Sequence, residues 1–137
     1  MIHSMRIFAA PSYFQKYPRP KTLEDLQHHK LIFFAGDEYV KLNQAIMKNT
    51  SPLVLQPFIE VGTGPGMLTA LLSGAGIGCY GYHKEIMEKG LLVDVFPELP
   101  DNVVSYYYSF HKRLEGSPKI EAFYDFLKDI TRVWEKK

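Results

Sequence analysis

The chain has 137 residues, 46% of them hydrophobic and 14% aromatic, which is enough apolar material to bury one core. Lys and Arg total 16 against 15 Asp and Glu, so the formal net charge of +1 leaves no strong field for holding a polyanion, and nucleic acid is not an expected direct partner. One cysteine excludes an internal disulfide framework, and the lack of a signal-peptide core or of an apolar run near the roughly 20 residues that cross a bilayer predicts a cytoplasmic chain without a membrane partner.

Short apolar runs alternate with helical patterns along the whole chain, which is typical of α/β domains built from strand–helix–strand units. The predicted strands are residues 6–10, 31–34, 53–61, 77–82, 91–95 and 103–110. Pro57 lies inside the third of these strands and cannot donate to a sheet ladder, so the beginning of that strand is expected at a sheet edge or a bulge.

Helical patterns fill the intervals between these strands. Residues 11–17 predict a short helical turn and residues 37–48 a weaker helix. Thr22 is the expected N-cap of a helix at 23–28, because Asp25 follows three residues later. The clearest helix follows a capping serine and a first-turn proline at 117–118. Its apolar positions recur at helical spacing and are Ile120, Phe123, Tyr124, Leu127, Ile130 and Trp134.

A glycine-rich turn at 62–66 follows the 53–61 strand and opens an apolar helix at 66–73 that is expected to end at Gly74. The next strand begins soon after, so the segment 53–82 predicts two roughly parallel strands joined by a right-handed crossover. The turn fails the nucleotide fingerprints, because Met67 stands where the dinucleotide motif has glycine and no Gly-Lys-Ser/Thr follows. No nucleotide cofactor is expected.

The same turn is nevertheless a candidate anion site. Gly64 is the predicted N-cap of the helix and Pro65 its first residue. The amides of Gly66 and Met67 and the hydroxyl of Thr63 would then point out of the carboxyl end of the strand, where small anions and carboxylates bind in open α/β sheets. The residues alone leave open the alternative that these glycines only form a tight turn.

Other chemistry-bearing residues have structural interpretations. In a second glycine run, Gly74 is expected to end the helix, Gly76 to make the turn and Gly78 to allow close packing in the sheet. Cys79 lies in an apolar strand and is interpreted as a small buried side chain. Tyr80, near the end of that strand, is the best side-chain candidate for ligand contact. The histidines have no metal-ligand spacing and no catalytic pair is found, so neither a metal nor an enzyme activity is expected.

Six stretches in a fixed order carry a resemblance to a known family. They are RIFAAPSYF at 6–14, PRPKTLEDL at 18–26, HKLI at 29–32, LTALLSGAGIG at 68–78, GLLVDV at 90–95 and SPKIEAFYDFL at 117–127. Together they resemble the C-terminal, effector-binding region of LysR-type transcription regulators over about residues 6–130. Each motif alone is common, and the ordered set is what makes the resemblance specific.

The resemblance implies an α/β lobe with a periplasmic-binding-protein-like fold. Residues 11–103 would form the second effector-binding lobe, residues 1–10 a hinge strand from a truncated first lobe, and residues 104–137 the return hinge strand and the C-terminal helix of that first lobe. The helix-turn-helix domain and the opening part of the first lobe would be missing, so DNA would be bound only through that missing N-terminal domain.

The resemblance also implies where a ligand is bound. The family's contacts in this lobe correspond to Gly62, Thr63 and Gly64 and to the strand end near Tyr80, and the rest of the turn completes the candidate ligand-binding set. That set is Gly62, Thr63, Gly64, Pro65, Gly66 and Tyr80. The chain departs from the family at Gly62, where a polar or bulky residue is often found, so side-chain recognition at that position is lost.

The function implied is small-molecule sensing by a regulator. The expected partner is a small organic effector, with a carboxylate as the candidate chemistry, and self-association of the chain is expected because the C-terminal helix would lack part of its packing surface. An alternative is a lobe of a transporter-associated solute-binding protein, which shares the fold. A small transferase or hydrolase is a third interpretation, which needs a catalytic pair that the sequence does not offer.

Overall fold

The computed structural model describes residues 2–36, 55–105 and 107–135, and it has the α/β organisation that the sequence predicts. The strands are β1 (Ile2–Ala9), β2 (Leu31–Phe34), β3 (Ile59–Val61), β4 (Ile77–Gly81), β5 (Val93–Asp94) and β6 (Asn102–Ser105). The α-helices are α1 (Pro11–Phe14), α2 (Gly64–Leu72), α3 (Lys84–Glu88) and α4 (Pro118–Glu135), and two 3₁₀ helices span Leu23–His28 and Lys112–Leu114.

Most predicted elements are present with shifted ends. The 31–34 strand is β2, and the 23–28 helix is the first 3₁₀ helix, with Thr22 as its N-cap and the Asp25 carboxylate accepting the Thr22 amide at 2.9 Å. Strand β1 begins earlier than predicted, whereas β5, β6 and α1 are shorter than predicted. Residues 55–58 of the predicted 53–61 strand are not in a strand, and the predicted 37–48 helix lies outside the described residues.

The sheet is mixed, and its strands follow the order β3-β2-β4-β1-β5. Strand β2 pairs in parallel with β3 on one side and with β4 on the other, while β1 runs antiparallel to β4 and to β5. The predicted parallel relation of the strands at 53–61 and 77–82 is therefore correct, with β2 inserted between them. Among the described strands β3 stands at one end of the order, as Pro57 just before it predicts.

Chain contacts divide the described residues into two compact units, residues 4–102 and residues 1–3 with 103–137. In the first unit, alternate strand residues supply two apolar clusters. The first core cluster consists of Ile7, Ala9, Tyr13, Leu26, Leu31, Ile77, Cys79, Val95 and Phe96. The second core cluster consists of Phe8, Ala10, Ile32, Phe34, Met67, Leu71 and Leu92. Helix α1 and the first 3₁₀ helix contribute to the first cluster and α2 to the second, so both faces of the strands are covered. Each fully buried large side chain contributes about 1.5–3 kcal/mol.

Two glycines of the second glycine run, Gly76 and Gly78, lie so close to other atoms that a side chain would not fit there. A Cβ on Gly76 would lie 2.3 Å from the Lys30 carbonyl oxygen, and a Cβ on Gly78 would lie 2.9 Å from the Met67 sulfur. The missing side chains let β4 lie against β2 and let α2 lie against the sheet. The interpretation of these glycines as structural residues agrees with this packing.

Replacing Gly76 with alanine tests this packing. The new methyl group meets backbone and cannot be relieved by a rotamer change, so we expect Gly76→Ala to lower the free energy of unfolding by on the order of 1–3 kcal/mol in urea titrations. The matched control is Gly62→Ala, because nothing lies within 4 Å of a Cβ there. That variant should change stability by less than about 0.5 kcal/mol. Equal stability of the two variants would contradict the close approach.

A single arginine holds the chain that follows β5. The guanidinium of Arg6, on β1, donates to the carboxylates of Asp94 and Asp101. Its remaining nitrogen donates to three carbonyl oxygens, those of residues 96, 97 and 99, at 3.3, 3.1 and 3.1 Å. The side chain is 14% exposed. Burial alone would lower the pKa of Arg6, but the two carboxylates outweigh burial and raise it, so the cation is permanent.

Removing this cation should destabilise the first unit strongly. In Arg6→Met the Asp94 carboxylate, 18% exposed, loses the arginine cation and keeps the Phe96 amide at 3.1 Å, and we expect the free energy of unfolding to fall by on the order of 3 kcal/mol in chemical unfolding. The control Lys84→Met breaks an exposed ion pair with Glu88, in which the two side chains are 55% and 64% exposed, and it should cost less than about 0.5 kcal/mol. A similar loss in both variants would show that Arg6 acts only as a surface charge.

The second unit is dominated by α4, which extends over 18 residues and follows Ser117, whose carbonyl accepts the amides of Ile120 and Glu121 at 2.9 and 3.0 Å. The Tyr108 ring lies 5.5 Å from that of Phe123 and 6.4 Å from that of Tyr124. Several aromatic side chains of the helix stay exposed, with 48% for Phe123, 46% for Tyr124 and 56% for Phe126. The apolar stripe predicted from the sequence is therefore present and only partly covered among the described residues.

Candidate functional site

The predicted ligand-binding residues lie along one edge of the parallel part of the sheet. Strands β3, β2 and β4 point in the same direction, with Val61 paired to Phe34 and Ile32 paired to Gly78. The turn after β3 and the end of β4 at Tyr80 are therefore at the carboxyl edge, with the end of β2 between them. In open α/β sheets this is the edge at which ligands bind.

Thr63, not Gly64, is the N-cap of α2, which corrects the prediction. Thr63 has extended backbone angles, and its hydroxyl oxygen accepts the Gly66 amide at 3.1 Å. The Thr63 carbonyl accepts the Met67 amide at 3.0 Å. Gly64 and Pro65 are thus already helical. The Gly66 and Met67 amides, predicted to point outward, are used inside the turn, because the Thr63 hydroxyl accepts the first and the Thr63 carbonyl accepts the second.

Some hydrogen-bonding capacity remains at this turn. The Gly64 amide occupies the first helical position, which has no acceptor within the helix, and the Thr63 hydroxyl still has a hydrogen to donate. Gly62 and Thr63 are exposed, and a Cβ on Gly62 or Gly64 would meet nothing within 4 Å. The positive end of the helix dipole lies at the same place. The turn can offer two donors to an anion in open space, fewer than the sequence predicts.

Tyr80 faces the same side of the sheet as α2. Neighbouring Cys79 belongs to the first core cluster, whereas Tyr80 packs against the second, to which Met67 and Leu71 of α2 belong. The Tyr80 ring is half-buried and stacks on His83, with 5.8 Å between the ring centroids and 20° between the planes. The structure therefore brings the turn and Tyr80 to one edge and one face. His83 is a neighbour of Tyr80 that only the fold reveals.

Cys79 does not join this edge. Its side chain is 1% exposed on the opposite face of β4, and burial raises the pKa of the thiol far above its usual range. A thiol in this state is a poor nucleophile and a poor metal ligand. Within the described ranges, no three His, Cys, Asp or Glu side chains come close enough together to hold a metal ion.

The described residues also enclose a cavity beside Arg6, lined in part by Ile7, Asp94, Phe96 and Asn102. Its volume is about 30 Å³, room for about one water molecule and too small for an organic effector. The carboxyl edge is therefore the better candidate for ligand binding. None of the helices in the described part of the chain has the length and apolar character needed to cross a bilayer.

Comparison with known proteins decides the family. Residues 3–132 match the family model described as the LysR substrate binding domain. The chain belongs to the LysR substrate binding domain family. The predicted resemblance is therefore confirmed over nearly the whole chain. A search of curated protein sequences gave no match.

Solved structures agree with this family at the level of the fold. The regulatory domain of CrgA, a LysR-type transcriptional regulator from Neisseria meningitidis, is 24% identical with a TM-score of 0.71, and the match covers 93% of this chain and 64% of that one. The structure of CrgA matches with 23% identity and a TM-score of 0.71, covering 93% of this chain and 44% of that one. Full-length AphB, a virulence activator of Vibrio cholerae, is 18% identical with a TM-score of 0.56, covering 75% of this chain and 36% of that one.

These matches define how much of a LysR-type regulator the chain represents. The chain spans less than two thirds of the CrgA regulatory domain and less than half of the longer CrgA and AphB chains. It is an effector-binding domain of the LysR family with a periplasmic-binding-protein-like fold, and the domain family is one of transcription regulators, not of enzymes.

Proposed function

We propose that this LysR-family domain senses a small organic effector at the carboxyl edge formed by the 62–66 turn and Tyr80. A carboxylate is the favoured effector chemistry, because the turn combines the Gly64 amide, the Thr63 hydroxyl and the positive end of α2. Tyr80 would contact the body of the effector from the end of β4. The observation that carries the proposal is the position of both features on one face and one edge of the parallel strands.

The family match supports a regulator in preference to a transporter-associated solute-binding protein, which remains the alternative with the same kind of lobe. In the proposed layout residues 11–103 form the second effector-binding lobe, with hinge strands at 1–10 and from 104 onward. Effector binding would change the closure of two lobes, and DNA would be bound by an N-terminal domain of the full-length regulator.

Two substitutions at Thr63, which introduce side chains of the same shape and different charge, test the anion site. Asp and Asn both cap helices well, so Thr63→Asp and Thr63→Asn should leave α2 equally stable. Only Thr63→Asp places a negative charge where the effector carboxylate is proposed to lie, and we expect it to bind the acid at least about tenfold more weakly than Thr63→Asn. The measurement is isothermal titration of the full-length regulator with acetate, pyruvate, succinate and benzoate.

The two Thr63 variants give distinct outcomes. Equal affinity of both variants for every acid that the wild-type protein binds would remove the turn from the site.

A substitution at Tyr80 tests the other part of the site. Tyr80→Phe deletes only a hydroxyl, and it should weaken effector binding by about 0.5–1.5 kcal/mol if that hydroxyl contacts the effector. An unchanged affinity would restrict Tyr80 to packing.

We also propose that the apolar side of α4 supports self-association. Phe123 and Phe126 are about half exposed, and their rings lie 6.4 Å apart with 25° between the planes. Exposed aromatic side chains clustered on one helix are typical of protein interfaces.

Sedimentation of the 137-residue chain over a range of concentrations tests this second proposal. Wild-type chain should show a mass that rises with concentration, and the double variant Phe123→Ser, Phe126→Ser should remain monomeric. The control Lys119→Ser, Glu121→Ser changes two exposed polar residues of the same helix and should behave like wild type. A wild-type chain that stays monomeric at all concentrations would contradict the proposal.

A further inference from the structure

A partly buried series of hydrogen bonds, here called the relay, lies at the edge of the sheet opposite to the proposed effector site. The Tyr13 side chain, on α1, is 1% exposed. Its hydroxyl lies 3.1 Å from the Lys30 amide nitrogen and 2.8 Å from Nδ1 of His29. Because a backbone amide can only donate, the hydroxyl oxygen accepts from Lys30. The direction of the bond to His29 is set by the tautomer of the ring, and the hydroxyl donates to Nδ1 when the neutral ring carries its hydrogen on Nε2.

The relay joins several elements at the amino ends of the parallel strands. Tyr13 belongs to α1, His29 follows the first 3₁₀ helix, and Lys30 directly precedes β2. The Lys30 carbonyl accepts the amide of Ile77, the first residue of β4, at 2.8 Å. Lys30 is thus fixed through its amide by Tyr13 and through its carbonyl by β4. A change in the protonation of His29 can therefore affect the hydrogen bonds at the first residues of β2 and β4.

Several charged or titratable groups surround His29. The Asp25 carboxylate, in the 3₁₀ helix that ends just before His29, accepts the amides of Lys21 and Thr22 at 2.8 and 2.9 Å, so it is already engaged as a cap. His28 is the exposed neighbour in the chain.

The remaining neighbours lie on the other side of the relay. The Lys30 ammonium lies 4.5 Å from the centre of the Phe58 ring and 5.5 Å from that of Tyr17. Tyr17 in turn stacks on Tyr13 at 4.7 Å. Burial lowers the pKa of His29, and the charge of His28 adds to this, while Asp25 acts in the opposite direction.

We propose that the Tyr13–His29 pair is an acid-sensitive latch, which opens when a proton binds Nδ1 of His29. The proton comes from solvent and takes the lone pair that accepts the Tyr13 hydroxyl. The ring then carries a hydrogen at the place to which the hydroxyl hydrogen was directed, so the hydroxyl hydrogen must rotate away from His29. This rotation disturbs the hydrogen bond that the Lys30 amide donates to the same oxygen, and with it the connection of α1 to Lys30. This proton input is separate from the effector edge and does not depend on the proposed function.

The direction of the pH effect follows from the lowered pKa. An unfolded or opened chain binds the proton at the ordinary histidine pKa of about 6.5, whereas the closed latch resists it until the pH is lower. The stabilisation by neutral His29 is therefore complete above about pH 6.5 and is lost as the pH falls below that value. Each unit by which the pKa is lowered increases the opening equilibrium about tenfold at low pH.

Amide hydrogen exchange in the 137-residue chain measures the latch directly. After correction for the intrinsic exchange rate, protection of the Lys30 amide should fall by about tenfold for each unit of pKa lowering between pH 7 and pH 5. His28→Gln, the matched control in the adjacent exposed histidine, should keep the fall at a slightly smaller size, because the charge of His28 contributes to the lowered pKa of His29. Tyr13→Phe should show low protection already at pH 7 and no dependence on pH. His29→Gln should also be independent of pH.

Two outcomes of the hydrogen-exchange experiment would overturn the proposal. One is constant protection of the Lys30 amide in the wild-type chain from pH 7 to pH 5. The other is an unchanged fall in His29→Gln. Imidazole nitrogen NMR of the wild-type chain provides a test that needs no variant. It should show the hydrogen of His29 on Nε2 at pH 7, and a hydrogen on Nδ1 would equally reject the latch.

Discussion

The first unit depends on the one guanidinium that β1 contributes to its edge. The chain after β5 leaves the sheet and forms no regular element until β6, so its carbonyl groups have no ladder partners. Arg6 replaces that ladder by donating to three carbonyl oxygens and two carboxylates. Because β1 also pairs with β4, the position of this loop and the position of the strand that carries Tyr80 are set by the same residue.

The carboxyl and amino edges of the parallel strands differ in how their polar groups are satisfied. At the carboxyl edge, a short turn leaves donors in open space on the same side of the sheet as the half-buried Tyr80 ring, and this is the edge proposed for the effector. At the amino edge, Tyr13, His29 and Lys30 satisfy one another inside the fold. The middle strand β2 spans only four residues and is paired on both sides, so it links the two edges over a short distance. A change in hydrogen bonding at one end of β2 therefore occurs only a few residues from the other end.

Local patterns predicted much of this fold because they are set by neighbouring residues. The Thr22 cap, strand β2, the glycine stop after α2 and the long C-terminal helix all follow from residues within one or two turns. The length of β5 could not be predicted from such patterns. This strand pairs with Phe8 and Ala9 of β1, and Arg6, which binds Asp94 and Asp101, is 88 to 95 residues away from them in sequence. Nothing in the local pattern marks such distant partners.

The places of the candidate residues in the fold could be predicted, but not their hydrogen bonds. The strand–turn–helix order located the 62–66 turn at a strand end and Tyr80 near the end of the next strand, where the structure has Tyr80 and Cys79 on opposite faces. The cap was assigned to the wrong residue because threonine and glycine are similar in preference as N-caps, and a proline in the first turn fits either register. His83 was missed because its stacking on Tyr80 depends on how the chain turns after β4.

The buried thiol of Cys79, the one cysteine of the sequence, has a practical consequence. Cys79 lies on β4, between the strand that carries Arg6 and the strand that follows Lys30. A thiol-specific reagent can reach it only while α1 and the first 3₁₀ helix move off this face or the sheet itself opens. The rate at which the chain takes up a maleimide label therefore reports how often this face of the core is exposed, with no engineered probe and no background from a second cysteine.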